Sequence, residues 1–236
     1  AGRDLRIEAR VLDVREKFEE HGGTTHDWVE QTLTGPGMQA RCNGGATRFF
    51  DGPALERDDD GDDGRYYEAP RLVPHIDARA TATIQDLYGR LIAPGSRILD
   101  LMSSWTSHLP PDLVTDTVTG LGMNAEELGR NERLRVFDLH DLNHRPRLPY
   151  PDDTFDAVIC TVSVEYLTRP QAVFDDVARV LAPGGLFAVT FSDRWFPTKA
   201  IRVWKELHPF ERMGLVLELF HQTERFSTLE TFSSQG

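Results

Sequence analysis

The sequence predicts an α/β fold: a doubly wound, mostly parallel sheet with helices on both faces, plus a small N-terminal extension. Three observations predict it. Short apolar runs recur between longer stretches of helical periodicity, the alternation of a parallel strand with its covering helix. The run Arg97-Ile-Leu-Asp-Leu101 carries an aspartate next to its end and passes into the small polar turn Met102-Ser-Ser-Trp-Thr-Ser107. Proline-glycine punctuation, at Ala93-Pro-Gly-Ser96 and Ala182-Pro-Gly-Gly185, separates a helical stretch from the next apolar run each time. The 236 residues, 39% of them hydrophobic, suffice for one large domain and an appendage.

The elements follow in order. Val11, Val14 and Phe18 share helical spacing, so residues 10–20 read as a helix closed by His21-Gly-Gly23. Thr24, Thr25 or Asp27 caps a second helix to about Leu33, and Thr34-Gly-Pro-Gly37 stops it. Residues 35–65 are glycine-rich loop. Asp58-Asp-Asp-Gly-Asp-Asp63 lacks the spacing of a calcium loop, so it reads as a solvated acidic linker, with a boundary near residue 64. This gives an extension over 1–64 and a main domain over 65–236.

Ile76, Ala80, Ile84, Leu87, Tyr88, Leu91 and Ile92 line one helical face, with Asp77 as N-cap. After the strand at 97–101, a turn feeds a helix. Thr117–Leu121 is the second strand, with a helix from about Ala125. Leu134–Asp138 is the third and Ala157–Thr161 the fourth. Pro170 opens a helix that places Val173, Phe174, Val177, Val180 and Leu181 on one face. Leu186–Phe191 is the fifth strand. Helical patterns cover 198–207 and 209–222, and Phe226–Phe232 is a candidate last strand.

Charge and cysteine content exclude some functions. A net charge of −12 argues against nucleic acid as a partner, since phosphate binding needs a basic face. No apolar run approaches the roughly 18–20 residues of a membrane span, and no signal peptide opens the chain. Cys42 and Cys160 lie in different settings and read as free thiols. A cytoplasmic location follows, with no membrane partner. His21, His26 and Cys42 match no zinc spacing, so no metal is expected.

Five stretches in one order carry a resemblance: Arg97–Leu101, Val118-Thr-Gly-Leu-Gly-Met-Asn124, Val136-Phe-Asp-Leu139, Leu148-Pro-Tyr-Pro-Asp-Asp-Thr-Phe-Asp-Ala-Val158 and Val180-Leu-Ala-Pro-Gly-Gly-Leu-Phe187. From about residue 66 onward the chain resembles the class I S-adenosylmethionine-dependent methyltransferases. It is closest to their type 11 group, in a divergent subgroup whose first motif reads Asp-Leu-Met-Ser-Ser-Trp. The resemblance implies a Rossmann-like fold, S-adenosylmethionine as cofactor, a small-molecule methyl acceptor and a possible homodimer. Residues 1–64 lie outside it.

The resemblance also implies roles. Asp100 receives the cofactor's ammonium, or caps the turn. Leu101 and Met102 belong to the same motif. Ser103 and Ser104, with the backbone N–H groups of the following helix start, meet the carboxylate, or are ordinary caps. Gly122 stands where the family has an acid that grips the ribose. Met123 packs on the adenine. Asn124 bonds the ribose or caps the next helix. Asp138 accepts the adenine amino group beside the Leu139 amide. Thr161 ends strand four, where the acceptor lies, and Glu165 and Tyr166 contact the acceptor or take its proton. Tyr67, Arg71 and His75 belong to a segment that lids the cofactor, and Arg71 pairs with a carboxylate. Arg194 and Trp195 face the acceptor. His140 and Asp141 read as loop residues, and Trp105 as pocket wall or core.

Two departures stand out. Met102, Ser104 and Thr106 replace glycines that let the backbone approach the cofactor, and Gly122 removes the ribose acid. They motivate a second reading, a methyltransferase-fold protein without catalysis that serves as a binding or scaffold subunit. A third reading, a nicotinamide-dependent oxidoreductase, fits poorly, since it wants a Gly-x-Gly-x-x-Gly turn with a following ribose acid and neither is present.

Overall fold

In the computed structural model, Gln39, Arg41 and residues 45–234 are described. The helices expected at 10–20 and up to Leu33, and His21, His26 and Cys42, lie outside the described residues.

Five parallel strands form one sheet in the order β3-β2-β1-β4-β5. They are β1 (Arg97–Leu101), β2 (Thr117–Gly122), β3 (Val136–Leu139), β4 (Phe155–Thr161) and β5 (Leu181–Thr190). The order reverses beside β1, so the ends of β1 and β4 open a crevice there. The helices are α1 (Asp63–Tyr66), α2 (Ala78–Leu91), α3 (Ala125–Gly129), α4 (Pro170–Val180), α5 (Arg202–Glu206) and α6 (Pro209–Thr223). Among the described residues, no helix is long and apolar enough to cross a membrane.

Strand side chains alternate, and that alternation builds two cores. Leu99, Leu101, Val158 and Cys160 face Phe174 and Val177 of α4 and Leu215 of α6. Ile98, Ala157 and Ile159 face Ile84 and Tyr88 of α2. A fully buried residue of this kind contributes about 1.5–3 kcal/mol. The Asp77 carboxylate accepts from the Ala80 N–H at 2.9 Å and starts α2.

Five expectations are corrected. No helix follows β1: residues 102–116 are irregular. Met102 and His108 take left-handed backbone, at φ 58° and 50°, and Pro110-Pro111 removes two donors. Ser103 N–H bonds the Leu121 carbonyl instead, at 2.8 Å. The fifth strand starts at Leu181 rather than Leu186, because Leu181 pairs with Phe155 and residues 182–185 loop out before Leu186 pairs with Ala157. A Cβ on Gly185 would lie 2.8 Å from the Ala182 carbonyl oxygen, so that loop requires glycine. Helix α5 starts only at Arg202. Before it, the Thr198 carbonyl accepts from Asp59 N–H, and Ile201 N–H donates to the Glu165 carbonyl. Residues 226–232 form no strand. The Phe226 ring packs on Phe220 and Phe187, at 5.0 and 6.0 Å between centroids. The third strand lies slightly later than read, at Val136–Leu139.

The segment before α1 docks on the sheet. Phe49 and Ala54 enter the α4-side core. Val203 N–H bonds the Ala54 carbonyl and Arg202 N–H the Glu56 carbonyl. The acidic run is not simply solvated. Asp63 is buried, paired with Arg57 at 2.9 Å and with the fully buried Lys199 at 2.9 Å.

Candidate functional site

A cavity of about 210 Å³ lies at the carboxyl ends of β1, β2 and β4. It adjoins an open cleft of about 910 Å³ beside the 52–64 segment. The two share Asp63, Met123, Asp141 and Asn143. Cofactor pockets typically span about 300–1,000 Å³, so a nucleoside-sized ligand would extend from the cavity into the cleft.

Asp100 lines the cavity at the end of β1. It is 3% exposed and accepts from the Ser103 hydroxyl at 2.6 Å. Burial raises its carboxyl to about 7, although hydrogen bonds from Ser103 and Ser107 pull it down. Among the described residues it has no ion-pair partner. Met102, Ser103 and Ser104 line the same wall. Leu101 does not: it is buried in the core.

Gly122 is dictated by packing. A Cβ there would collide with the Ser103 carbonyl oxygen and crowd Leu128. The turn after β1 thus crosses the end of β2, where the resemblance leads one to look for an acid. The carboxylate at this end of the cavity is Glu127, in the first turn of α3. It accepts from the Ser104 hydroxyl at 2.6 Å and the Arg71 N–H at 2.7 Å. Asn124 is the N-cap of α3, accepting from Glu126 and Glu127 N–H. Its amide donates to the Tyr67 and Glu68 carbonyls at 2.9 Å. Both amide hydrogens are therefore used, and of its two expected roles the cap is the one present.

The structure brings Tyr67, Arg71, Met123, Thr161 and Tyr166 into the lining, with Arg194 and Trp195. The Arg71 guanidinium lies 4.5 Å from the Tyr66 ring centre and donates to the Tyr66 carbonyl. Thr161 shares a 2.7 Å hydrogen bond with the Tyr88 hydroxyl. The Tyr166 hydroxyl accepts from Phe196 N–H at 2.9 Å, and the two rings stack. Burial raises the Tyr67 and Tyr166 hydroxyls well above the usual phenol range.

Besides Leu101, three expected site residues lie elsewhere. Asp138 is on the exposed edge strand β3, where it accepts from the Tyr150 hydroxyl at 3.0 Å. Leu139 beside it is 53% exposed. The chain reaches the cavity only in the next turn, through His140 and Asp141, where the Asp141 carboxylate accepts from Asn143 N–H at 2.8 Å. Glu165 is fully buried outside the lining, and burial pushes it up to about 8 against the pull of Arg212.

Sequence reasoning missed Glu127, His108 and Phe196 as lining residues and set Asp141 aside. Glu127 is the second acid after Gly122, and His108 falls within the irregular stretch that was read as a helix. Among the described residues, no group of three or more His, Cys, Asp or Glu could hold a metal ion.

Residues 105–189 match a family model described as a methyltransferase domain. Curated relatives agree. A ubiquinone/menaquinone biosynthesis C-methyltransferase of Chromobacterium violaceum is 40% identical over 65 residues, 27% of this chain and 23% of the relative. The methyltransferase GfsG of Streptomyces halstedii is 29% identical over 140 residues, 52% of this chain and 48% of the relative. The chain thus spans less than half the length of either. Among solved structures, the [4+2]-cyclase SpnF is 24% identical with a TM-score of 0.42, covering 61% of this chain and 56% of that one.

Proposed function

We propose that this chain, whose middle is a methyltransferase domain of the class I S-adenosylmethionine-dependent type, transfers a methyl group to a small-molecule acceptor. The observation that carries the reading is Asp100. A buried carboxyl at a strand end that opens into a cavity, with no ion-pair partner among the described residues, fits the ammonium of S-adenosylmethionine. When bound, that cofactor supplies an electrophilic methyl on a sulfonium. The protein's part is to bind, align and exclude water.

Asp100 would hold the ammonium, with Ser103 keeping its carboxylate oriented. Glu127 and Asp141 are the acids placed for ribose and adenine polar groups, in the positions that Gly122 and Asp138 leave empty of a reaching side chain. Met123 lies at the junction of cavity and cleft, where an apolar side chain meets a base. Tyr67 and Arg71 close the wall from the N-terminal side, and Thr161, Tyr166 and Trp195 form the acceptor side.

Calorimetric titration of wild type and Asp100→Asn with S-adenosylhomocysteine tests this reading. Asp100→Asn is expected to weaken binding by about tenfold or more, the loss of one charge-assisted contact. Equal affinity would remove Asp100 from the site.

A further inference from the structure

We infer that His75 is the base that takes a proton from the methyl acceptor, and that the acceptor is a phenol. The inference rests on the proposed methyl transfer and names its substrate class. His75 lines the cavity two residues before Asp77, the N-cap of α2. Among the described residues its ring nitrogens make no hydrogen bond, and neither is a buried orphan. Its one ring contact is edge-on to Phe196, at 5.8 Å between centroids and 84° between planes. A ring so fixed, with nitrogens open, is oriented but uncommitted.

The charges around it suit a base that is neutral at rest and accepts a proton during reaction. Burial lowers its affinity for a proton, Arg71 lowers it further, and Glu127 opposes both. Burial lowers the proton affinity of the neighbouring His108 in the same way. The start of a 14-residue helix also disfavours a resident imidazolium. Glu127 is the anion on hand to steady the imidazolium once it forms. By contrast Glu165, the carboxylate first suggested by sequence, lies outside the lining.

The acceptor's shape is set by the rings beside His75. Tyr67, Tyr166, Trp195 and Phe196 all line the cavity, and Tyr166 and Phe196 stack at 5.8 Å and 29°. Such walls take a flat aromatic ring. A phenol supplies that ring together with a proton that must leave. The phenolic oxygen forms a bond to the methyl carbon, and the carbon–sulfur bond breaks with its electron pair on sulfur. The phenolic proton passes to a His75 ring nitrogen and from there to water.

The test compares phenol with 4-nitrophenol, which is far more acidic, in wild type and His75→Gln. The variant should lose about 100-fold on phenol, the range for removing a general base, and keep most of its activity on 4-nitrophenol. A second readout is the pH profile on phenol. The acid limb of wild-type kcat, set by a His75 imidazole that burial holds below its usual range, should disappear in His75→Gln. Equal loss on both phenols, no loss on either, or an acid limb unchanged in the variant overturns the assignment. Wild type that binds S-adenosylhomocysteine yet methylates neither phenol overturns the acceptor class. Wild type that does not bind S-adenosylhomocysteine overturns the methyltransferase reading itself.

Discussion

Two buried carboxyls make this protein's response to pH unusual at the scale of single residues. Asp100 and Glu165 hold their protons to about 7 and about 8, while in an unfolded chain they titrate near 4. Between those limits the native state binds more protons than the unfolded one, so stability falls as pH rises from about 4 to 8. Thermal melts across that window should show this decline, and Glu165→Gln should flatten its upper part. A cationic ammonium beside Asp100 favours the ionised form. Affinity for S-adenosylhomocysteine is therefore expected to increase from pH 6 to 8, and titrations in buffers of different ionisation enthalpy should reveal proton release on binding. Gly122 yields a different prediction. Gly122→Ala forces its new methyl against the Ser103 carbonyl, and overpacking of this kind costs about 1–3 kcal/mol. Urea unfolding measures it. Placing an acid there, as Gly122→Asp, is expected to destabilise further rather than improve cofactor binding, because backbone already fills that space. At this scale the sequence was partly legible. Asp100 was visible because a strand end marks it. Asp138 was placed at the cavity because it ends an apolar run, but β3 is the exposed edge strand, and the chain reaches the cavity only after it, at His140 and Asp141.

Helices and strands were readable where periodicity decided them. The α2 face from Ile76 to Ile92 and the helix opened by Pro170 lie where the pattern puts them, because each buries one stripe against the sheet. The failures have local causes. Residues 102–116 carry a resumed apolar pattern, yet left-handed Met102 and His108 and two prolines prevent a helix there. Phe226–Phe232 spaces its apolar residues three apart rather than alternately, and Phe226 is taken up by the aromatic cluster with Phe220 and Phe187. Acidic composition concealed the docking of the 52–63 segment. Lys199, fully buried, meets Asp63 at 2.9 Å and Asp59 at 3.1 Å and donates to the Asp59 and Gly61 carbonyls. Removing Lys199 leaves Asp63 to Arg57 and Asn143 and leaves the partly buried Asp59 and Gly61 carbonyls without their donor, a cost of about 1–3 kcal/mol. Lys199→Met should lower the urea midpoint accordingly. Because Asp63 belongs to both cavity and cleft, the same substitution should also weaken S-adenosylhomocysteine binding.

Across the whole molecule, the five-stranded order places the cavity at the strand ends where the sheet order reverses, and the segment before α1 forms one wall of the adjoining cleft. Sheet and cavity were legible together, because parallel strands, their helices and the ligand site are consequences of one topology. The glycine-free turn is what makes ligand binding the central question: backbone that crosses β2 narrows the usual approach, while Asp100, Glu127 and Asp141 offer polar contacts around it. Calorimetric titration of the purified chain with S-adenosylhomocysteine tests this most directly. Micromolar binding, weakened in Asp100→Asn, is the expected result. No heat at high ligand concentration, from protein shown by circular dichroism to be folded, would contradict cofactor binding by this chain alone.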